Sequence, residues 1–214
     1  MRTGLAVACV VVVGGCGSGA RRGPAAAVAA SVVAQTRADT YAAVARRIYG
    51  EEVYGSPNSD AFHKIAPLAG LVDGLRSGDY AVARRALLHQ PVRHAVRVRV
   101  ARGRRTLVDV GLGFVVAGAR RQLRAPDGRY LGRIEISIQD VIGFIKLVHR
   151  LTGAAIVVRG SFDHHVESSP PAAAAVTLPR SGPVVIGTRR YTVSAFGAAG
   201  FSGETLTSWI LAPG

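Results

Sequence analysis

Apolar positions recur every three to four residues over the first part of the chain and every second residue over much of the rest. Between about 32 and 53, Val33, Tyr41, Val44, Ile48 and Val53 alternate with Arg37, Asp39, Arg46 and Arg47, the spacing of an amphipathic helix. Gly55-Ser56-Pro57-Asn58 is a stop signal. Asp60 to Leu75 reads as a second helix broken at Pro67, because proline lacks the N–H and crowds the preceding turn. After Ser77-Gly78-Asp79, Tyr80 to His89 reads as a third, short helix.

At Pro91 the period drops to two. Ala95-Val96-Arg97-Val98-Arg99-Val100 alternates as a half-buried strand does. A turn at Ala101-Arg102-Gly103-Arg104 and a second run, Thr106 to Val110, predict a hairpin. Phe114-Val115-Val116 reads as a further short strand. Pro126-Asp127-Gly128 is a turn signal, and Tyr130 to Gln139 alternates again. Asp140 is placed to cap a helix carrying Val141, Phe144, Ile145, Val148 and Leu151, which Gly153 ends. Strands are expected at 155–158, 184–186, 191–196 and 205–211. Residues 168–183 contain four prolines and read as a loop. Strands joined by hairpins imply a largely antiparallel sheet with helices on one face, an α+β fold. Residues 31–214 are expected to form a single domain, and no internal repeat is visible.

The first residues carry a different signal. Met1-Arg2 gives one positive charge, residues 4–13 form an uncharged apolar run, and Gly14-Gly15 precede Cys16. This is the layout of an export signal, and the run is shorter than the roughly 20 apolar residues of a membrane span. Val13-Gly14-Gly15-Cys16 resembles a bacterial lipobox. That resemblance implies a signal peptide over 1–15, acylation of the Cys16 thiol, and attachment through membrane lipid on the extracytoplasmic face. Residues 16–30, rich in Gly, Ala, Arg and Pro, read as a tether between lipid and domain. The other cysteine, Cys9, lies inside the leader, so a processed chain has neither free thiol nor disulfide. A domain of this length needs no such staple.

The formal net charge is +14, and of 27 basic residues only Lys64 and Lys146 are lysines. Near-exclusive use of arginine is partly what a GC-rich genome writes, yet the charge still favours anionic partners. Nucleic acid is not expected, since the arginines are scattered rather than interleaved with aromatic residues. Signs of catalysis are missing. Gly200-Phe201-Ser202-Gly203-Glu204 departs from a nucleophile elbow at its last position, and neither lysine follows a serine at the Ser-x-x-Lys spacing. Neither a phosphate loop nor a dinucleotide fingerprint occurs. Asp163-His164-His165 with Glu167 is the one metal-like cluster, but adjacent residues on an extended segment point to opposite sides. A solvated loop is expected there, with no cofactor, no metal and no enzyme activity.

The order of elements resembles the extracytoplasmic Cache domain, a relative of the PAS fold. Arg76-Ser77-Gly78-Asp79-Tyr80 before a short helix, the Val-Arg-Val-Arg-Val strand and Asp109-Val110-Gly111 carry the resemblance. So do the stretch Gly132 to Val141 followed by a helix, Leu151-Thr152-Gly153 before an apolar strand, and the closing strands at Tyr191 and Leu206. It spans roughly residues 35–213. It implies a long N-terminal helix packed on an antiparallel sheet of about five strands, and a pocket on the sheet for a small carboxylate, amino acid or amine. It places that pocket between the second strand and the Asp127 turn, which makes Arg97, Asp109, Phe114, Arg129 and Tyr130 the candidate ligand-binding residues. Cache domains usually sit between two membrane helices and signal to a cytoplasmic module. Here no second apolar span or output domain follows Leu211. The expectation is therefore a ligand-capturing lipoprotein that works with a signalling partner or as a homodimer. The alternative is a structural or protein-interaction lipoprotein whose Cache-like fold binds no ligand.

Overall fold

The computed structural model describes residues 24–89, 95–116, 118–162 and 165–214. The leader, Cys16, His94, Asp163 and His164 lie outside the described residues, as does the chain up to residue 23.

A single helix, α1 (Pro24–Tyr54), opens the fold. It starts eight residues before the expected Val32, so residues 24–30 of the expected tether are helical. Gly55 ends it, and α2 (Ser56–Ile65) starts at once with Pro57 in the first turn, where the missing N–H costs nothing. Pro67 separates α2 from α3 (Ala69–Ser77), as predicted. Gly78 then turns left-handed at φ 82°. Asp79 caps α4 (Tyr80–Leu88) by accepting from the Ala81 and Val82 amides at 3.1 Å.

The expected α+β fold, with its long N-terminal helix and an antiparallel sheet of five strands, is present, and a further antiparallel sheet of four strands stands beside it. The first sheet in chain order holds β1 (Arg97–Arg102), β2 (Arg105–Gly111), β3 (Ala119–Arg124) and β4 (Tyr130–Ser137) in the order β2-β1-β4-β3. The second holds β5 (Ala155–Gly160), β6 (Val166–Ser169), β7 (Ser181–Ile186), β8 (Arg189–Ala199) and β9 (Thr205–Pro213) in the order β6-β5-β9-β8-β7. Helix α5 (Val141–Thr152) separates them. It is capped by Asp140, which accepts from the Gly143 amide at 2.6 Å, and ended by left-handed Gly153. The alternation of residues reveals strands but not their partners. Both sheets nevertheless follow one plan: an opening hairpin at one edge, whose first strand pairs with the last strand of the sheet. The two sheets thus share this arrangement, the second with one strand more, without a repeat in sequence.

The expected strand at Phe114-Val115-Val116 is only an isolated bridge, Val115 to Asp140. Part of the proline-rich segment is ordered instead: β6, a 3-10 turn at Pro171–Ala175, and β7. Pro183 is accommodated because β7 is an edge strand, where a missing N–H leaves no ladder bond unmade.

The two sheets differ in how they are covered. Ile156, Val158, Phe196 and Ile210 of the second sheet pack against α1 and α5. Its other face, with Val157, Val193 and Leu211, is closed by Ala173 and Leu178 from the proline-rich segment. Burial on both sides explains why β5 reads as a continuous apolar run. Among the described residues, helices cover the first sheet on one face only. Val98, Val100, Val108, Ile134 and Ile136 meet Leu71, Leu75, Ala83 and Leu87 of α3 and α4. Asn58 of α2, itself buried, fastens that layer by donating to the Ile136 carbonyl at 3.2 Å and the Glu52 carbonyl at 3.3 Å.

Candidate functional site

The face of the first sheet turned away from α3 and α4 is polar because β1 alternates. With Val98 and Val100 turned to the core, Arg97 and Arg99 face out. Register aligns them with charges on the other strands. Arg99 stands opposite Asp109 on β2 and Glu135 on β4, and Glu135 stands opposite Arg120 on β3. A row of alternating sign, Asp109-Arg99-Glu135-Arg120, therefore crosses all four strands, with opposite charges paired across neighbours.

Glu135 is the centre of this row. Its side chain is only 5% exposed, against 23% for Arg99 and 41% for Arg120. Arg120 donates its Nε–H to Oε1 at 2.9 Å, and Arg99 approaches Oε2 at 3.9 Å. Arg99 is also held by two bonds to Thr106 Oγ1, at 2.8 and 3.2 Å. A buried carboxylate must be paired and hydrogen-bonded to persist, and Glu135 gains one more donor from the second sheet. The Ser202 amide reaches Oε1 at 3.1 Å. Ser202 sits in a short turn, Phe201–Gly203, at φ 59°, a left-handed conformation uncommon outside glycine. Phe201 is buried beneath the guanidinium of Arg97, 4.8 Å from its ring centre, a cation–π distance. Gly118 completes the junction. A Cβ there would lie 2.7 Å from Glu135 Cγ and 2.9 Å from the Phe201 ring.

Above this row lies a cavity of about 390 Å³. Arg99, Arg104, Arg120, Arg133, Tyr130 and Glu135 line it with Ala101, Gly103, Ser202 and Gly203. The lining carries four guanidinium groups and one carboxylate. Arg104 and Arg133 are exposed and make no hydrogen bond or ion pair with any described residue. Such a surface attracts and orients anions, since the guanidinium fork grips carboxylate or phosphate in two bonds.

Of the five candidate residues, only Tyr130 lines this cavity; it is partly exposed, with Arg124 6.0 Å from its ring centre. Arg97 and Asp109 are brought together, but onto each other. Arg97 donates through Nε and a terminal nitrogen to the two Asp109 oxygens at 2.9 and 3.0 Å, and its other nitrogen reaches the Gly113 carbonyl at 2.6 Å. Phe114 points to the second sheet's core and stacks at a tilt on His165, with ring centres 4.9 Å apart. Arg129 is exposed in the Asp127 turn, its amide donating to Asp127 Oδ1. Sequence reasoning missed Arg99, Arg104, Arg120, Arg133, Glu135 and Ser202. The available signal was the Arg97/Arg99 and Arg133/Glu135 alternation, which puts each pair on one face; the pairing of β1 with β4 was not readable. Among the described residues no group of three His, Cys, Asp or Glu side chains could hold a metal ion, and no helix is long and apolar enough to cross a membrane.

The fold and site define an α+β chain with a long N-terminal helix, two antiparallel sheets of four and five strands, and an arginine-lined cavity on the smaller sheet's face away from the helices. No family model and no curated protein matches it. Among solved structures, the periplasmic domain of Vibrio cholerae LuxQ is similar over 87% of this chain and 99% of that one, at 14% identity and a TM-score of 0.42. The ligand-binding domain of the Pseudomonas aeruginosa PAO1 amino acid chemoreceptor PctC, in complex with GABA, is similar over 73% and 94%, at 14% identity and a TM-score of 0.31.

Proposed function

We propose that this chain is a sensor-type, ligand-binding domain held on the extracytoplasmic face of the membrane by lipid on Cys16. The observation that carries the reading is the cavity on the first sheet. Its volume lies within the ~300–1,000 Å³ range of small-molecule sites. Two of its arginines, Arg99 and Arg120, are set against the buried carboxylate of Glu135 rather than left to solvent, which lowers the entropy lost on binding. The export signal and the cysteine at its end support the location. A thermal-shift screen of carboxylates, amino acids and amines tests the reading. A true ligand at about a hundred times its Kd adds about 2.7 kcal/mol, or about 5–10 °C for a chain of this size. Arg99→Ala should abolish that shift. No shift with any class would overturn the reading.

A second reading, an interaction lipoprotein, draws on the start of α1. Val28, Val32 and Val33 are exposed there, in a stretch, residues 25–33, that is exposed throughout. Chemical cross-linking at this helix end in membranes would capture a partner or a second copy. A monomeric product alone would count against it.

A further inference from the structure

The balance of charge around the cavity discriminates among carboxylates, amino acids and amines. An amine or an amino acid brings an ammonium group, and that group needs a free carboxylate. Neither carboxylate in the row is free. Glu135 is nearly solvent-excluded and already accepts from Arg120 and Ser202 while facing Arg99. Asp109 is closed by Arg97 in two parallel bonds. The guanidinium side of the balance is open. Arg104, in the β1–β2 turn, and Arg133, opposite Ala101 on β4, have no partner among the described residues. Arg99 and Arg120 are held below them, already oriented. A positively charged ligand group would meet four like charges against one carboxylate that is already engaged, at a cost that grows in a partly enclosed site.

Resting on the reading of this cavity as a ligand site, we infer that its ligand is a small soluble anion bearing two or more negative charges, a phosphate compound or a polycarboxylate. Two or more charges match the surplus of the lining, in which four guanidinium groups stand against one carboxylate and each fork can grip an anionic group in two bonds. The cavity also exceeds the needs of a bare ion, so an organic body against the exposed Tyr130 ring fits the space.

Isothermal calorimetry on the full chain in neutral detergent tests this with pyrophosphate and citrate against acetate and 4-aminobutyrate. Pyrophosphate or citrate should bind about tenfold or more tighter than either singly charged probe. Arg133→Glu should weaken that binding about tenfold, while Arg84→Glu, an exposed charge reversal on α4, should leave it unchanged. Which of the two strong probes binds tells phosphate from carboxylate. Equal or tighter binding of acetate or 4-aminobutyrate would overturn the inference yet keep the ligand-site reading. Equal loss from Arg133→Glu and Arg84→Glu would show attraction to overall charge and overturn it. Arg133-dependent binding to phosphatidylglycerol vesicles without binding to either soluble probe would overturn it in favour of a lipid surface. Silence from every probe would overturn both.

Discussion

Arg97 grips Asp109 diagonally across the β1–β2 hairpin, through two parallel hydrogen bonds of 2.9 and 3.0 Å. Directly opposite Asp109 in register stands Arg99, two residues from Arg97 on β1, yet it hydrogen-bonds to Thr106 and approaches Glu135 instead. This division sorts the charges of the open face. Arg97 and Asp109 neutralise each other and stabilise the hairpin, while the arginines beyond them stay available.

The Arg97–Asp109 pair should therefore matter for stability and little for the cavity. Both side chains are about a quarter exposed, and solvent screens such pairs. A double-mutant cycle with Arg97→Ala and Asp109→Ala should give a coupling of about 1 kcal/mol, read from urea unfolding. Zero coupling would mean the pair is incidental.

Gly118 should not tolerate a side chain. Gly118→Ala presses a methyl group onto Glu135 and Phe201, and overpacking of this kind costs about 1–3 kcal/mol. The melting temperature should fall by several degrees. The anion affinity should fall with it, because Glu135 holds Arg99 and Arg120. A variant as stable as the parent would show that the junction of the two sheets is loose.

Asn58 should be among the costlier polar positions. Its amide donates to two carbonyls from a buried site, and Asn58→Ala leaves both without that donor. Loss of a buried polar partner costs about 1–3 kcal/mol. Chemical denaturation would measure it, and a change below about 0.5 kcal/mol, typical of a surface site, would refute the role.

Glu52, near the end of α1, has its pKa raised by the desolvation that comes with burial. A carboxyl whose folded pKa is raised favours the protonated native state. Its cost is absent below the ordinary glutamate pKa and develops as pH rises through the raised value. Glu52→Gln should therefore raise the melting temperature at about pH 7 and make no difference near about pH 3. A gain at the lower pH alone would reverse the sign and exclude desolvation as the cause.

Cys16→Ser should release the chain from membranes. One acyl chain anchors only marginally and two anchor stably, so removing the attachment site should move the protein to the soluble fraction on differential centrifugation. Continued membrane association would remove the lipid from the proposal.

The sequence by itself determined the elements that depend on near neighbours. The break at Pro67, the cap at Asp140, the glycine stops and the hairpin at Gly103 are written in residues a few positions apart, because their hydrogen bonds are local. The stripe predicted for the first helix is less well read, since Val33 and Val44 are exposed and Ala38, Ala42 and Ala45 are buried. It also determined which faces of β1 and β4 are apolar, since side chains alternate along a strand. The tertiary structure decided the rest. Whether β4 pairs with β1, and whether one sheet or two result, depends on contacts between residues dozens of positions apart, to which a pattern of period two is blind. The cavity follows from that pairing. Arg99, Arg120, Arg133 and Glu135 share a surface only because β1, β4 and β3 lie side by side, and the Ser202 amide joins them from the other sheet. A string of arginines in sequence became a row of paired and unpaired charges once the register was fixed.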